Sequence, residues 1–317
     1  MIILRRLISN ARIILLTAIL PAILLAWSGC STARVSLKDI SATGSDRYEC
    51  THKGVRHDFI IDFPEKVEGS PLVIMLPGAG GTAESFRLDT RFHETACTEG
   101  YTVVYVTGAP EPGDHTSPLA WNHEGRESGN DDTGFLKALV AFIHEVFHTD
   151  QERCFAAGFS NGAFMCHRLA LEASDTFSAV ISVAGTMSEN TWKNKPDICT
   201  TSLLQIAGER DDVIPKLSDR SAGYSAYPAI EDLISYYASA NGLDSMTVRE
   251  IGRNSTLTEY YSKDSERLVW FLYVTDGRHS WSAERVTGIN TNKLIIDFLE
   301  SITNHSTHDI STSSITD

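Results

Sequence analysis

The chain of 317 residues predicts an α/β fold: a single domain with a mostly parallel central sheet and helices on both faces. Three observations carry that expectation. First, short, largely apolar strand-like runs recur at 72–76, 102–106, 154–159, 179–183 and 203–206, the length and composition of strands buried on both sides. Second, helical patterns stand between them, so strand and helix alternate through the middle of the chain. Right-handed crossovers then lay such strands side by side. Third, one apolar strand runs into Gly158-Phe159-Ser160-Asn161-Gly162 and straight out into a helix. Only glycines two positions either side of the serine let strand and helix pass so closely.

The amino-terminal 29 residues stand apart from the fold. Arg5, Arg6 and Arg12 precede an apolar run from Ile13 to Trp27, followed by Ser28-Gly29-Cys30. This is a basic region, a hydrophobic region and small residues at a cleavage point, the pattern of an export signal. The run is short for a spanning helix, which needs about 20 residues. Ser-Gly-Cys resembles the lipobox of bacterial lipoproteins, which implies Cys30 as the lipidated first residue of the mature chain. Trp27, where that pattern usually has leucine, is a departure. The expected location is extracytoplasmic, as an envelope lipoprotein or a secreted protein, with membrane contact only through that anchor.

Removing the signal's three arginines takes the formal net charge from −14 to −17. Such a surface repels nucleic acid and anionic lipid, while neutral or polymeric substrates remain compatible. No protein partner is indicated. Five cysteines follow Cys30, namely Cys50, Cys97, Cys154, Cys166 and Cys199. In a compartment that permits disulfides an odd number leaves at least one free, and spacing does not give the pairing.

In order, residues 30–46 read as a polar tether and 47–302 as the folded α/β domain. Two strand-like runs from 47 to about 63 turn at Lys53-Gly54 as a hairpin. The strand at 72–76 is flanked by Pro71 and Pro77. Residues 82–99 are helical in pattern, and 102–106 is strand. After a long loop a helix spans 132–148, with Asp131 or Asp132 placed to cap it. The serine turn and its helix follow, then strands at 179–183, 203–206 and 268–274, with helices near 229–241 and 292–301. Residues 303–317, rich in Ser and Thr, read as a flexible tail.

Loops that follow parallel strands emerge on one edge of the sheet, so reactive groups should gather there. Ser160 sits ahead of a helix N-terminus, whose free N–H groups favour developing negative charge. A serine needs a base within hydrogen-bond reach and a carboxylate to orient that base. After strand 203–206 comes Gly208-Glu209-Arg210-Asp211-Asp212, and after strand 268–274 comes Asp276-Gly277-Arg278-His279-Ser280-Trp281. Asp211 is assigned as the orienting acid, with Asp212 and Glu209 as alternatives, and His279 as the base. Asp276 reads as a turn former. His115 and His123 also follow a strand, but they precede the serine, the wrong order for this architecture. His144, His148 and His167 fall on predicted helices, and His305 and His308 in the tail.

Oxyanion donors are expected from the backbone N–H of Asn161 and, in the glycine-rich loop Pro77-Gly78-Ala79-Gly80-Gly81, of Ala79. Pro77 itself has no N–H. Trp121, Trp192, Tyr224, Tyr227 and Trp281 gather in edge loops, and Trp121, Trp192 and Trp281 are candidate substrate contacts. No metal motif occurs, and no cofactor is expected.

The blocks PLVIMLPGAGGTAESF, AWNHEGRESGNDDTGFLKALV, GFSNGAFMCHRLA, AGERDDVIP and DGRHSW together resemble the secreted polyhydroxybutyrate depolymerase and feruloyl esterase-type branch of the α/β-hydrolases, over about residues 55–300. The resemblance implies Ser160, Asp211 and His279 as a triad, Ala79 as the first oxyanion donor, an ester as substrate, and no cofactor. The family commonly has His-Gly where this chain has Pro77-Gly78. Its cysteine-bearing stretch after Trp121-Asn122 is here Glu124-Gly125-Arg126-Glu127, so an expected loop disulfide is missing. Two other readings fit the same blocks: a peptidase on this scaffold, and a non-catalytic envelope lipoprotein that binds a ligand.

Overall fold

The computed structural model describes residues 37–214, 228–281 and 284–312, with the side chains of 306–312 excepted. The signal, Cys30, Tyr224, Tyr227 and His308's side chain lie outside the described residues. The elements are β1 (Lys38–Ala42), β2 (Arg47–His52), β3 (Val55–Asp62), β4 (Leu72–Leu76), α1 (Ala83–Thr90), α2 (Phe92–Ala96), β5 (Thr102–Val106), α3 (Asp132–Phe147), β6 (Cys154–Phe159), α4 (Asn161–Glu172), β7 (Ala179–Val183), α5 (Glu189–Lys193), β8 (Ser202–Gly208), α6 (Ile230–Ala240), β9 (Ser245–Ile251), β10 (Ser255–Ser262), β11 (Ser265–Val274), α7 (Glu284–Thr287) and α8 (Thr291–Thr312).

The strands form one sheet in the order β1-β2-β3-β5-β4-β6-β7-β8-β11-β10-β9. Its six central strands, β5 through β11 in that order, are parallel. Antiparallel strands flank them on both sides, so the parallel arrangement is confined to the centre. The reason is visible in β4, where Leu72, Ile74 and Leu76 enter one core and Val73 and Met75 the other, all fully buried. Alternation across the pleat therefore demands apolar residues at every position. The first core packs under α3, α4 and α6, with Leu136, Leu169 and Leu233 among its members. The second packs under α1, α2 and α8, through Phe86, Phe92 and Phe298.

Several expectations need correction. Part of the expected tether is β1, which pairs antiparallel with β2 and extends the sheet by an edge strand. The helical stretch 82–99 is broken at Arg91, whose φ of 48° closes α1 and opens α2. Helix α8 continues through Thr312, into the stretch read as a tail. The hairpin β9–β10 has no counterpart in the sequence reading, because β9 is an edge strand exposed along nearly its whole length and lacks an apolar run. By contrast the β2–β3 hairpin turns at Lys53 and Gly54, both at positive φ, and Asp131 caps α3 through the Gly134 N–H at 3.1 Å. All five described cysteines are free thiols, four of them buried, and each packs as a small apolar group.

Burial also sets the acid response. His167 on α4 is fully buried, and it joins Tyr237, Ser182 and Gln205 at 3.0 to 3.1 Å, tying α4 to α6, β7 and β8. Desolvation lowers His167, His57 and His123 to about 4 and raises buried Asp132 to about 7. Between pH 6.5 and 4 the unfolded chain binds protons at these histidines that the native state refuses, so each removes stability as pH falls. Asp132 acts oppositely: the native state binds its proton between about 7 and 3.8, so it adds stability as pH falls. Three groups outweigh one. Urea unfolding at pH 5 should show stability lower than at pH 7 by on the order of 3 kcal/mol. Equal midpoints at the two pH values would contradict this balance.

Candidate active site

The parallel centre brings the ends of β4, β6, β8 and β11 to one edge, and the loops leaving them carry the predicted groups. At the end of β6 a Cβ on Gly158 would strike the Gly162 carbonyl, and one on Gly162 would strike the carbonyls of Leu76 and Pro77, all inside 3.0 Å. The close passage of strand and helix thus depends on the absence of side chains. Between the glycines Ser160 holds φ 51° and ψ −117°, a conformation that costs a non-glycine residue about 1–3 kcal/mol. Its N–H donates to the Val183 carbonyl at 3.0 Å, and its carbonyl accepts from Ala163 and Phe164 at 2.9 and 3.1 Å. Those bonds over-determine the strained turn.

Ser160, His279 and Asp211 meet over this edge. The Ser160 Oγ–H donates to His279 Nε2 at 3.0 Å, and His279 Nδ1–H donates to Asp211 Oδ2 at 2.9 Å. The Asp211 side chain is 1 % exposed and that of His279 17 %, so the acid is sealed while the ring still reaches solvent. Asp211 Oδ1 accepts from the Val213 and Ile214 N–H groups at 2.9 and 2.8 Å, which fixes the carboxylate plane. The Phe159 ring lies against the imidazole at a centroid distance of 4.9 Å. A proton can therefore pass from hydroxyl to imidazole while the carboxylate holds the ring in the productive tautomer.

The rival acids have other work. Glu209 Oε2 accepts from the Asp276 N–H at 2.9 Å, and Asp276 pairs with Arg210 at 2.6 Å. With the Arg210 N–H donating to the Gly277 carbonyl at 2.7 Å, these contacts latch the acid loop to the histidine loop. Sequence reading weighed Glu209 and Asp276 only as acids or turn formers. Asp212 is exposed. His123 is half-buried against Phe164, and its carbonyl receives the Ser188 hydroxyl at 3.2 Å. His115 is exposed, and His144 bonds Thr149.

In the loop after β4, Gly80 N–H donates to the Leu119 carbonyl at 2.7 Å and Gly81 N–H to Gly78 at 3.0 Å. Among the described residues the amides of Ala79 and Asn161 are not spent in this way. Gly78 packs beside the Ser160 Cβ, so this loop borders the nucleophile. Trp121 and Trp281, expected as candidate substrate contacts, are both buried. Trp121 is 3 % exposed, and its indole N–H donates to the Pro77 carbonyl at 3.1 Å. Trp281 packs edge-on against Phe86 and donates to Asn292 Oδ1 at 2.9 Å. Both are large apolar bodies whose single polar atom is satisfied internally. Trp192 is partly exposed, with the Lys195 ammonium 3.8 Å above its ring. Among the described residues no group of three or more His, Cys, Asp or Glu side chains is placed to hold a metal ion, and no helix is long and apolar enough to cross a membrane.

Comparison with known proteins bears on this geometry. The sequence profile described as esterase PHB depolymerase matches residues 60–257. The chain belongs to the esterase PHB depolymerase family. It is accordingly a carboxylic-ester hydrolase. The matched span includes Ser160 and Asp211 and stops before His279, whose place is given by the hydrogen bonds above. This family member is 28% identical over 236 residues to the putative esterase NocK of Nocardia uniformis subsp. tsuyamanensis, covering 69% of this chain and 67% of that protein. It is 32% identical over 147 residues to an acetylxylan esterase of Coprinopsis cinerea, covering 44% of this chain and 39% of that protein. Among solved structures, the acetyl xylan esterase from Aspergillus awamori superposes with a TM-score of 0.56 at 12% identity, over 75% of this chain and 94% of that one. At that identity the likeness speaks to the α/β-hydrolase fold.

Proposed function

We propose that this family member is an extracytoplasmic serine esterase that works through an acyl-Ser160 intermediate, with His279 as general base and then acid and Asp211 as its orienting partner. The observation that carries the reading is the continuous relay from Ser160 Oγ to His279 to Asp211, at 3.0 and 2.9 Å. Ser160 Oγ attacks the ester carbonyl carbon, its proton passes to His279 Nε2, and the carbonyl electron pair moves onto oxygen. The Ala79 and Asn161 N–H groups receive that oxyanion. As it collapses, the bond to the alcohol oxygen breaks and the imidazolium returns the proton to the leaving alkoxide. Water then attacks the acyl-enzyme by the same path, freeing the acid and regenerating Ser160.

The acetylxylan esterase relative supports acyl esters on a neutral polymer as a substrate class, and a net charge of −14 suits an uncharged partner. Full-length protein should therefore be assayed with 4-nitrophenyl acyl esters, methyl hydroxycinnamates, hydroxybutyrate oligomers and acetylated xylan, alongside a fluorophosphonate probe. Hydrolysis of at least one class and labelling at Ser160 are expected. A folded wild type that escapes the probe and cleaves no ester would overturn the reading.

The same proposal places a lipid on Cys30, following Ser28-Gly29. Cells making the full chain should incorporate labelled palmitate into wild type and none into Cys30→Ser. Equal label in both would remove the anchor.

A further inference from the structure

We propose that Trp121 is a positioning residue that sets the spacing of the two oxyanion donors, an inference that rests on the hydrolase reading above. The N–H groups of Ala79 and Asn161 come from different connections, after β4 and after β6, and no stretch of covalent chain fixes their separation. Trp121 belongs to a third connection and touches both. Its indole N–H donates to the Pro77 carbonyl at 3.1 Å, two residues before Ala79. Its backbone N–H donates to Asn161 Oδ1 at 2.7 Å, and its carbonyl accepts from Asn161 Nδ2 at 3.4 Å. Two residues upstream, the Leu119 carbonyl accepts from the Gly80 N–H at 2.7 Å. The segment 119–121 thus grips the oxyanion loop on both sides of Ala79 and the elbow at Asn161.

This segment is anchored in turn. The Asn122 N–H donates to Asp132 Oδ2 at 2.6 Å, and Arg168 donates to the Asn122 carbonyl at 2.5 Å. Asp132 opens α3 and Arg168 lies on α4, two helices packed on the same core. Trp121 therefore adds directional hydrogen bonds, tied to rigid elements, to a loop that otherwise rests on the packing of Gly78 and Pro77 against the elbow and on the Gly80 and Gly81 bonds. An oxyanion hole acts through donors already in place when charge develops, and a misplacement of about 1 Å can lower a rate on the order of 100-fold.

Two variants separate spacing from packing. Trp121→Phe keeps an aromatic body and the backbone bonds to Asn161 while deleting the indole N–H. Asn161→Ala keeps the backbone donor while deleting the amide bracket. Each should lower kcat by about 10- to 100-fold, with KM within about threefold, because the lost interaction is one made in the transition state. The double variant should be little worse than the weaker single, since both release one spacer. Affinity for a trifluoromethyl ketone analogue should fall by the same factor as kcat/KM. That ketone becomes an oxyanion when Ser160 Oγ bonds its carbonyl carbon and the serine proton passes to His279.

A tryptophan that only packs would lower the unfolding temperature and leave kcat and ketone affinity per folded molecule unchanged, and that result overturns the proposal. If the phenylalanine variant fails to fold, Asn161→Ala decides by the same readouts. Fluorophosphonate labelling separates the two levels of inference. Wild type unlabelled at Ser160 defeats the hydrolase reading and the spacer with it, whereas equal labelling rates in wild type and Trp121→Phe defeat the spacer alone.

Discussion

Replacing Ser160 by alanine should lower kcat for ester hydrolysis by about 10^5- to 10^6-fold and abolish fluorophosphonate labelling, while leaving the fold in place. The size follows from loss of the covalent route. Without the hydroxyl, His279 retains its bond to Asp211 at 2.9 Å but has no proton to take, so any residual rate comes from water attacking an ester polarised by the oxyanion donors. Stability should not fall, because alanine removes only an oxygen from a residue whose backbone is fixed by Val183, Ala163 and Phe164. Both outcomes are read from one preparation, by steady-state kinetics and thermal unfolding. Wild-type activity in the alanine variant would mean that another residue carries the chemistry.

Asp211→Asn should lower kcat by about 10^4-fold with KM little changed. An asparagine can keep its carbonyl toward the Val213 and Ile214 N–H groups, which leaves its NH2 facing His279 Nδ1. That donor forces Nδ1 to accept, places the ring proton on Nε2, and removes the acceptor that Ser160 requires. The substitution is nearly isosteric, so the loss reports the tautomer rather than a cavity. Asp212→Asn, on an exposed neighbour, is the control and should stay within about threefold. If the two variants behave alike, Asp211 does not orient the base.

How much of this was legible beforehand depended on whether the deciding interaction is local. The central strands could be read because a strand covered on both faces is apolar at nearly every step, as 72–76 is throughout and 179–183 is apart from Ser182, whose hydroxyl is bonded to His167. Ser160, Asp211 and His279 could be placed because each leaves a recognisable strand at the same end. Strand β1 and the β9–β10 hairpin could not, since an exposed edge strand obeys no such demand and is held by its neighbour's backbone. The break at Arg91 is a single left-handed residue in an otherwise helical pattern. The Trp121 brace and the Glu209–Asp276 latch join residues between 40 and 67 positions apart, and only folding brings such partners together. Trp121 shows the hazard most clearly: an aromatic in an edge loop suggests a ligand surface, yet its ring faces inward.

The latch between the acid and histidine loops has a further implication. Because Glu209 and Arg210 are bonded to Val274, Asp276 and Gly277, the connections that carry the carboxylate and the imidazole are tied directly to each other, while the hydroxyl sits on a separate turn bonded to Val183. The relay is then completed by a single contact, 3.0 Å long, between two separately held halves. Surface changes that tilt one half against the other can alter turnover while the base keeps its proton on the correct nitrogen.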